Sequence, residues 1–373
     1  MKIIHILCGK ANPQIKANGV NVVVDQYAQI MHKDGLDIEV WGIANNPITN
    51  LPNPKYPIRF FQQYHSWHCK LDNKLIECIK TIDTASTVIH FHGGFIRDFP
   101  RIVKIVKGLK YFVMPHHIYS DAALSNRWWR KKMYLSIIEA EFIQKSKGLL
   151  VYNENEIGEK CRIYFSNVPI HLISKGPDPK FACDQYVSVK KNKNEVIWGF
   201  CGRIQDEHKG VDRMIRSFLK FQALRRNEMH VLSIIGDGPD LKRIRNKYIS
   251  ESDRGLVIFH GRLSEQKKIE EYKRMDFFLH PSNYDTIPLT CLDALAMGIP
   301  LLVTPGTLLD NDVINYNAGV VAEPNEQAIT QAMTKLINLE HHDMFIGCQR
   351  LISEKYDWKK GCVQLKKLYR KVL

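Results

Sequence analysis

Apolar residues recur along the chain in two alternating rhythms, short continuous runs and a helical period, and the alternation itself predicts an architecture. In the first half, residues 3–7, 38–41, 87–92, 111–114 and 148–152 read as strands, and 22–33 carries the period of an amphipathic helix between the first two. The pattern starts afresh at 196–201 and continues with strand-like runs at 229–235, 257–259, 277–280 and 301–304, with helical periods over 214–225 and 241–248. Strands that alternate with helices build parallel sheets through βαβ units, so each half is expected to form a doubly wound, Rossmann-like α/β domain. Pro47, Pro52, Pro54 and Pro57 predict an extended loop within the first half. At the far end, Cys362, Leu365, Leu368, Tyr369 and Val372 form a helical stripe.

The two halves are joined by a stretch that carries turn residues and charge: Lys175-Gly176-Pro177-Asp178-Pro179-Lys180, then Lys190-Lys191-Asn192-Lys193. It predicts a linker over 174–193 and domains over 1–176 and 177–356. A length of 373 residues suits two domains, each with its own core. With 45% hydrophobic and 25% charged residues, the composition is that of a globular chain. No apolar run approaches the ~18 residues that cross a bilayer, and Lys10 interrupts the first run too soon for a signal peptide. Nine cysteines without a Cys-x-x-Cys pair point to a reducing cytoplasm and no zinc site. The net charge of +14 predicts an acidic partner, such as phosphates, anionic lipid or nucleic acid, without choosing among them.

The densest chemistry lies between Pro281 and Pro300. Pro288 suits the first turn of a helix, and Gly298 followed by Pro300 ends one, so a helix is expected over 288–297. Its unpaired amides, at Thr286, Ile287, Leu289 and Thr290, would face an anion, with Asp285 in the preceding loop and Asp293 beyond the first turn. That combination suits recognition of phosphate together with hydroxyls. Upstream, Gly202 and Arg203 end the 196–201 strand, and Lys209 opens the following helix. Two cations at a strand's carboxyl end suit a diphosphate. The loop over 12–19 joins the first strand to its helix, and Gly19 would let backbone approach phosphate oxygens. His90, His92, His116 and His117 sit at strand ends; their spacing is not that of a zinc site and no acid adjoins them. Asp310-Asn311-Asp312 is expected in a loop, the wrong setting for a metal-binding acid pair. Trp128, Trp129, Arg130, Lys131 and Lys132 combine indoles with cations. The cluster suits an anionic membrane surface, or else tryptophans packed inside with the cations solvated.

The 281–300 segment resembles the signature of family-4 retaining glycosyltransferases: two acids eight positions apart flank a Pro-Leu pair, ahead of Ala-Leu-Ala-x-Gly-x-Pro. The family normally has Glu where this chain has Asp285 and Asp293. It often has two glycines where this chain has Asn18-Gly19. The resemblance implies a GT-B fold, with a final helix over 357–373 crossing back to the first domain. It implies a retaining transfer from a nucleotide-diphosphate sugar, most often a UDP-sugar, to a glycan or lipid-linked acceptor. By the same resemblance Gly202, Arg203 and Lys209 clamp the donor diphosphate, and Gly261 and Arg262 lie along the base. Asp285 would accept from sugar hydroxyls and Asp293 from the ribose. His116 would stand against the donor sugar, with His92 and Gly93 on the acceptor side. No metal and no cofactor are expected, and the enzyme would work in the cytoplasm, at the inner face of the membrane. A nucleotide-sugar epimerase of the same fold is an alternative. A basic nucleic-acid-binding protein is a weaker one, since no recognition helix or aromatic platform stands out.

Overall fold

A computed structural model describes residues 1–9, 19–47, 51, 53–64, 70–125, 128–182 and 195–373. The chain forms two compact units, Met1–Lys175 with Trp358–Leu373, and Gly176–Asp357.

The first unit is built on a seven-stranded parallel sheet: β1 (Lys2–Cys8), β2 (Asp37–Ala44), β3 (Ile58–Gln62), β4 (Thr87–His92), β5 (Lys110–Met114), β6 (Leu149–Val151) and β7 (Ile170–Leu172). Their order is β3-β2-β1-β4-β5-β6-β7. Helices cover both faces of such a sheet, which is why β1 and β4 are buried at successive positions rather than at alternate ones. β3 directly follows the proline-rich stretch that predicts a loop. It is an edge strand, where Pro57 costs no ladder bond: its carbonyl accepts from Val40 N–H at 3.0 Å. β7, at the other edge, exposes Ile170 and Leu172 and has only three residues, so it carries little apolar signal. The core around Phe91, Phe99, Tyr111 and Phe142 packs aromatic rings edge to face and in stacks. The last helix, Trp358–Val372, closes this unit. Trp358 meets Tyr27 edge-on at 5.2 Å, and Gln364 accepts from Ser174 N–H at 2.8 Å.

The second unit holds β8 (Glu195–Cys201), β9 (Met229–Ile235), β10 (Val257–Gly261), β11 (Phe277–His280), β12 (Leu301–Val303) and β13 (Gly319–Val321), all parallel, in the order β10-β9-β8-β11-β12-β13. Trp198, Phe218 and Phe221 anchor its core beneath the Val211–Leu224 helix.

Each sheet reverses its winding once, between β1 and β4 in the first unit and between β8 and β11 in the second. Ligands of open α/β sheets bind outside the strands' carboxyl ends at that reversal, where two loops part in opposite directions. β8 leads to Arg203 and Lys209, and β11 leads to Asp285.

Three expectations need correcting. Asp310-Asn311-Asp312 is the first turn of a helix, Asp310–Asn315, and not a loop; Asp312 is buried and takes bonds from Lys355 and Tyr356. Pro288 is the N-cap of Leu289–Ala296, extended at φ −71° and ψ 130°, and not its first helical residue. The two tryptophans do not act as a pair. Trp128 packs against the first unit's core with Lys160 over its ring, while Trp129 stays 62% exposed with Arg130 stacked on it at 4.9 Å. The linker lysines Lys190, Lys191 and Lys193, the loop residues 12–18 and Pro52 lie outside the described residues. None of the described helices is long and apolar enough to cross a membrane.

Candidate active site

Lys209 ends a short helix, Asp206–Lys209, and Gly210 turns the chain into the next one in the left-handed region at φ +62°. A side chain on Gly210 would be strained there and would press its Cβ to 2.8 Å from the Pro281 carbonyl, so only glycine lets this turn lie against the loop after β11. That loop is stitched to the Lys209 turn from both sides. Asn283 N–H donates to the His208 carbonyl at 2.9 Å, Asn283 Nδ2 to Glu207 at 2.7 Å, and Arg213 to the Pro281 carbonyl at 2.8 Å. His208 stacks on Tyr284 with ring centroids 4.4 Å apart.

The stitching brings the Lys209 ammonium onto the Asp285 carboxylate as a nearly buried ion pair, with side chains 11% and 12% exposed. His280, at the end of β11, adds an Nε2 contact to Asp285 at 2.9 Å. Burial by itself would raise the Asp285 carboxyl, but the Lys209 charge and the His280 bond outweigh it and hold the group well below the usual carboxylate range. His280 is lowered, first by burial and then by Lys209. Arg203 stands exposed after β8 with no side-chain partner among the described residues. Thr286, Ile287 and Pro288 are buried and lead into the Leu289–Ala296 helix, whose first amides, Leu289 and Thr290, have no preceding turn to bond to. Two cations, one paired carboxylate and a helix N-terminus thus meet at the sheet's winding reversal. The arrangement can hold a diphosphate and accept bonds from hydroxyls.

The Gly236-Asp237-Gly238-Pro239 turn supports Arg203 from behind. Gly236 sits at φ +144°, and a Cβ there would lie 1.8 Å from the Gly202 carbonyl oxygen. Gly202 N–H donates to Ile235 at 3.0 Å and Ile204 N–H to Asp237 at 3.0 Å, so the two loops form one unit. Gly261 ends β10 at a register shift, with Arg262 exposed beyond it. His260 is structural, bonded to Ser233 at 3.1 Å and facing Glu271 at 3.4 Å. Asp293 is 4% exposed rather than solvated on an outer face. It accepts Asp178 N–H at 3.0 Å and faces Lys268 Nζ at 3.4 Å; burial pushes its carboxyl up to about 6, against the pull of Lys268.

In the first unit Gly19 opens the Gly19–Lys33 helix, and Gly93 N–H donates to the Met114 carbonyl at 2.8 Å. His116 and His117 both adopt left-handed backbone, at φ +50° and +64°. Two consecutive non-glycine residues in that region hold backbone strain. His92 is not placed to meet an acceptor. It is 2% exposed and both ring nitrogens are engaged, Nε2 with His5 Nδ1 at 2.7 Å and Nδ1 with His116 Nε2 at 3.0 Å. His90, in turn, meets the Tyr369 hydroxyl at 2.7 Å. His5, His90 and His92 place nitrogens close enough together for a metal to be considered. The ring of His90, however, lies face to face with that of His92 at 4.1 Å, so their in-plane lone pairs run side by side instead of converging.

Residues 185–358 match the family model of group 1 glycosyl transferases. The matched segment, nearly all of the second unit, belongs to this family. An uncharacterized glycosyltransferase of Methanocaldococcus jannaschii, MJ1069, is 22% identical over 89% of this chain and 82% of its own length. A GDP-mannose-dependent alpha-mannosyltransferase of Corynebacterium glutamicum is 28% identical over 48% of this chain and 40% of its own. Among solved structures, WaaG, a glycosyltransferase involved in lipopolysaccharide biosynthesis, superposes with a TM-score of 0.71 at 14% identity, covering 99% of both chains. Anabaena HepE in complex with UDP superposes with a TM-score of 0.72 at 12% identity, covering 100% of both. These likenesses give the group 1 glycosyltransferase its fold, GT-B. Reasoning from the sequence missed His280, which lies five residues before Asp285 at a strand end, and His5, which is in register with His90 across β1 and β4.

Proposed function

We propose that this glycosyltransferase is a retaining enzyme that moves a sugar from a nucleotide-diphosphate sugar, a UDP-sugar by preference, to a glycan or lipid-linked sugar in surface polysaccharide or lipopolysaccharide synthesis. The observation that carries the reading is the buried Lys209 and Asp285 pair at the head of the Leu289–Ala296 helix, with Arg203 exposed at the end of the neighbouring strand β8. A diphosphate would draw on Arg203, Lys209 and the amides of Leu289 and Thr290. Charge developing on the departing phosphate would be met by donors already in place, so no divalent ion is required; losing one such donor typically costs ~10²–10³ in rate. Asp285 would take hydrogen bonds from donor-sugar hydroxyls, and His116 would contact the donor sugar. The leaving phosphate would help deprotonate the acceptor on the same face, which keeps the anomeric configuration.

HepE with UDP supports the uridine base, WaaG the lipopolysaccharide setting, and the Corynebacterium relative, named for GDP-mannose, the competing base. Calorimetric titration with UDP, GDP and ADP, beside Arg203→Ala and Lys209→Ala, tests the reading. One nucleotide should bind in the micromolar range and both variants should weaken it, with no change after EDTA. If none of the three binds, the donor site is misassigned; an inverted anomeric product would sink the retaining mechanism.

A further inference from the structure

His5, His92 and His116 form a line of imidazoles that runs from the interior of the first unit to a partly exposed end. His5 Nδ1 lies 2.7 Å from His92 Nε2, and His92 Nδ1 lies 3.0 Å from His116 Nε2. The ring centroids are 5.0 and 5.3 Å apart with planes inclined by only 20° and 24°. Each centroid distance equals the nitrogen contact plus about the two ring radii. The rings are therefore joined end to end, nearly coplanar, in the geometry of a good N–H···N bond. His5 is fully buried, His92 2% exposed and His116 half-buried.

All three rings are neutral near pH 7, since burial lowers His5 and His116 to about 3 and His92 well below its ordinary value. A neutral imidazole carries one proton on one of two nitrogens. In a chain of such rings the protons must all point the same way, which leaves two settings. Either His5 donates to His92 and His92 to His116, or the reverse. The inner end decides between them. His5 Nε2 is buried without a hydrogen-bond partner. In the reverse setting that nitrogen would carry an orphaned N–H, and orphaned buried donors are rarer than unsatisfied acceptors.

We propose that His5 and His92 are positioning residues that hold His116 in the tautomer protonated on Nδ1, so that its outer nitrogen offers a hydrogen-bond donor to an oxygen of the bound sugar. The sugar contact rests on the placement of His116 proposed above; the tautomer itself does not. Without this chain the ring would follow the ordinary preference of neutral imidazole for Nε2–H and present a bare nitrogen to the ligand. The left-handed backbone at His116 fits the same purpose, because it fixes the ring's aim while the chain fixes its proton.

Long-range ¹H–¹⁵N spectra of protein labelled on histidine, with His116 assigned through His116→Gln, read the tautomer directly in the ligand-free enzyme. The wild type should show His116 protonated on Nδ1 alone. His92→Phe should shift the ring toward Nε2–H, and His5→Phe should give an intermediate population. A wild-type His116 protonated on Nε2 overturns the proposal, as does a His92→Phe spectrum identical to wild type. The wild-type spectrum decides even if a variant fails to fold. In a second arm, binding of UDP and of UDP-glucose is compared. His92→Phe should weaken UDP-glucose about tenfold, as one hydrogen bond implies, and leave UDP unchanged. Equal binding of UDP-glucose by both proteins would overturn the sugar contact. Loss of UDP binding in the wild type would count against the donor site while leaving the tautomer result standing.

Discussion

Replacing Lys209 with Met keeps the apolar stem and removes the charge, so it isolates what the ammonium does for Asp285. Both side chains are nearly buried, and removing one member of such a pair costs ~3–5 kcal/mol, chiefly because the other is left as an unpaired buried charge. For a domain of this size that is a fall in Tm of roughly 6–20 °C. The loss should depend on pH, and its sign can be worked out. In the wild type Asp285 is held below its unfolded value, so its contribution is present above about 3.8 and is lost as pH falls from there. In Lys209→Met the positive charge that lowers His280 is gone, so His280 can take up a proton and pair with Asp285 in its place. A group whose folded pKa is raised stabilises at low pH and loses that contribution as pH rises. The penalty of the variant should therefore be smaller at pH 6 than at pH 8. Asp285→Asn in the same background should recover most of the loss, with a coupling of about 2–3 kcal/mol across the double-mutant cycle. Differential scanning calorimetry of the four proteins at the two pH values measures all of this. A Lys209→Met melt indistinguishable from wild type at pH 8, or no recovery in the double variant, would refute the reasoning.

Asp293→Asn keeps an acceptor for the Asp178 amide but cannot ionise. The wild-type group has a folded pKa near 6, above its unfolded value, so its contribution is present at pH 4 and lost as pH rises through 6. The variant should gain on the wild type by roughly 2 kcal/mol between pH 4 and pH 6, read as a pH-dependent difference in Tm; a constant difference would show that Asp293 titrates normally. Gly236→Ala sets a Cβ against the Gly202 carbonyl, and should cost more than ~3 kcal/mol and abolish nucleotide binding by displacing Arg203; an unchanged melt and affinity would remove Gly236 from the site. Trp129, Met133 and Ile137 are 62%, 57% and 68% exposed and lie beside Arg130 and Lys132. Co-sedimentation with vesicles containing phosphatidylserine should exceed that with phosphatidylcholine alone and fall about fivefold for each cation replaced, whereas equal pelleting with both lipids would reject a docking surface there.

The alternation of strands and helices was legible because a parallel sheet covered on both faces buries residues on both sides of each strand, so β4 and β9 carry apolar residues at successive positions between their few polar ones. The three strands that escaped, β3, β7 and β13, are edges with mixed burial, the first following a run of prolines and the other two only three residues long. At the candidate site, residue types at strand ends pointed to Arg203, Lys209 and Asp285, because a glycine turn and a helix start leave a mark in the chain. What the chain could not display was which groups meet. Asp293 reads as the second acid of the signature segment, and nothing in the chain shows that it is buried against the Asp178 turn, which pushes its carboxyl up to about 6 against the pull of Lys268. His92 reads as one more histidine at a strand end, and only the register of β4 against β1 places it in line between His5 and His116.

Both units therefore place chemistry at the same topological position by different means. In the second, the winding reversal between β8 and β11 lets two loops from neighbouring strands leave in opposite directions. Turns that only Gly210 and Gly236 can make then draw those loops together, so that charge is concentrated where backbone amides are also free. In the first, the reversal between β1 and β4 leaves adjacent strands whose inward residues are histidines, and the parallel register aligns them into a hydrogen-bonded line instead of a charged cluster. Charge can stabilise a departing diphosphate, whereas a neutral donor of fixed direction can orient a sugar without competing for phosphate. Under the function proposed above, that division would assign the sugar to the histidines, which burial keeps uncharged, and the phosphate to Lys209, which is held against a carboxylate.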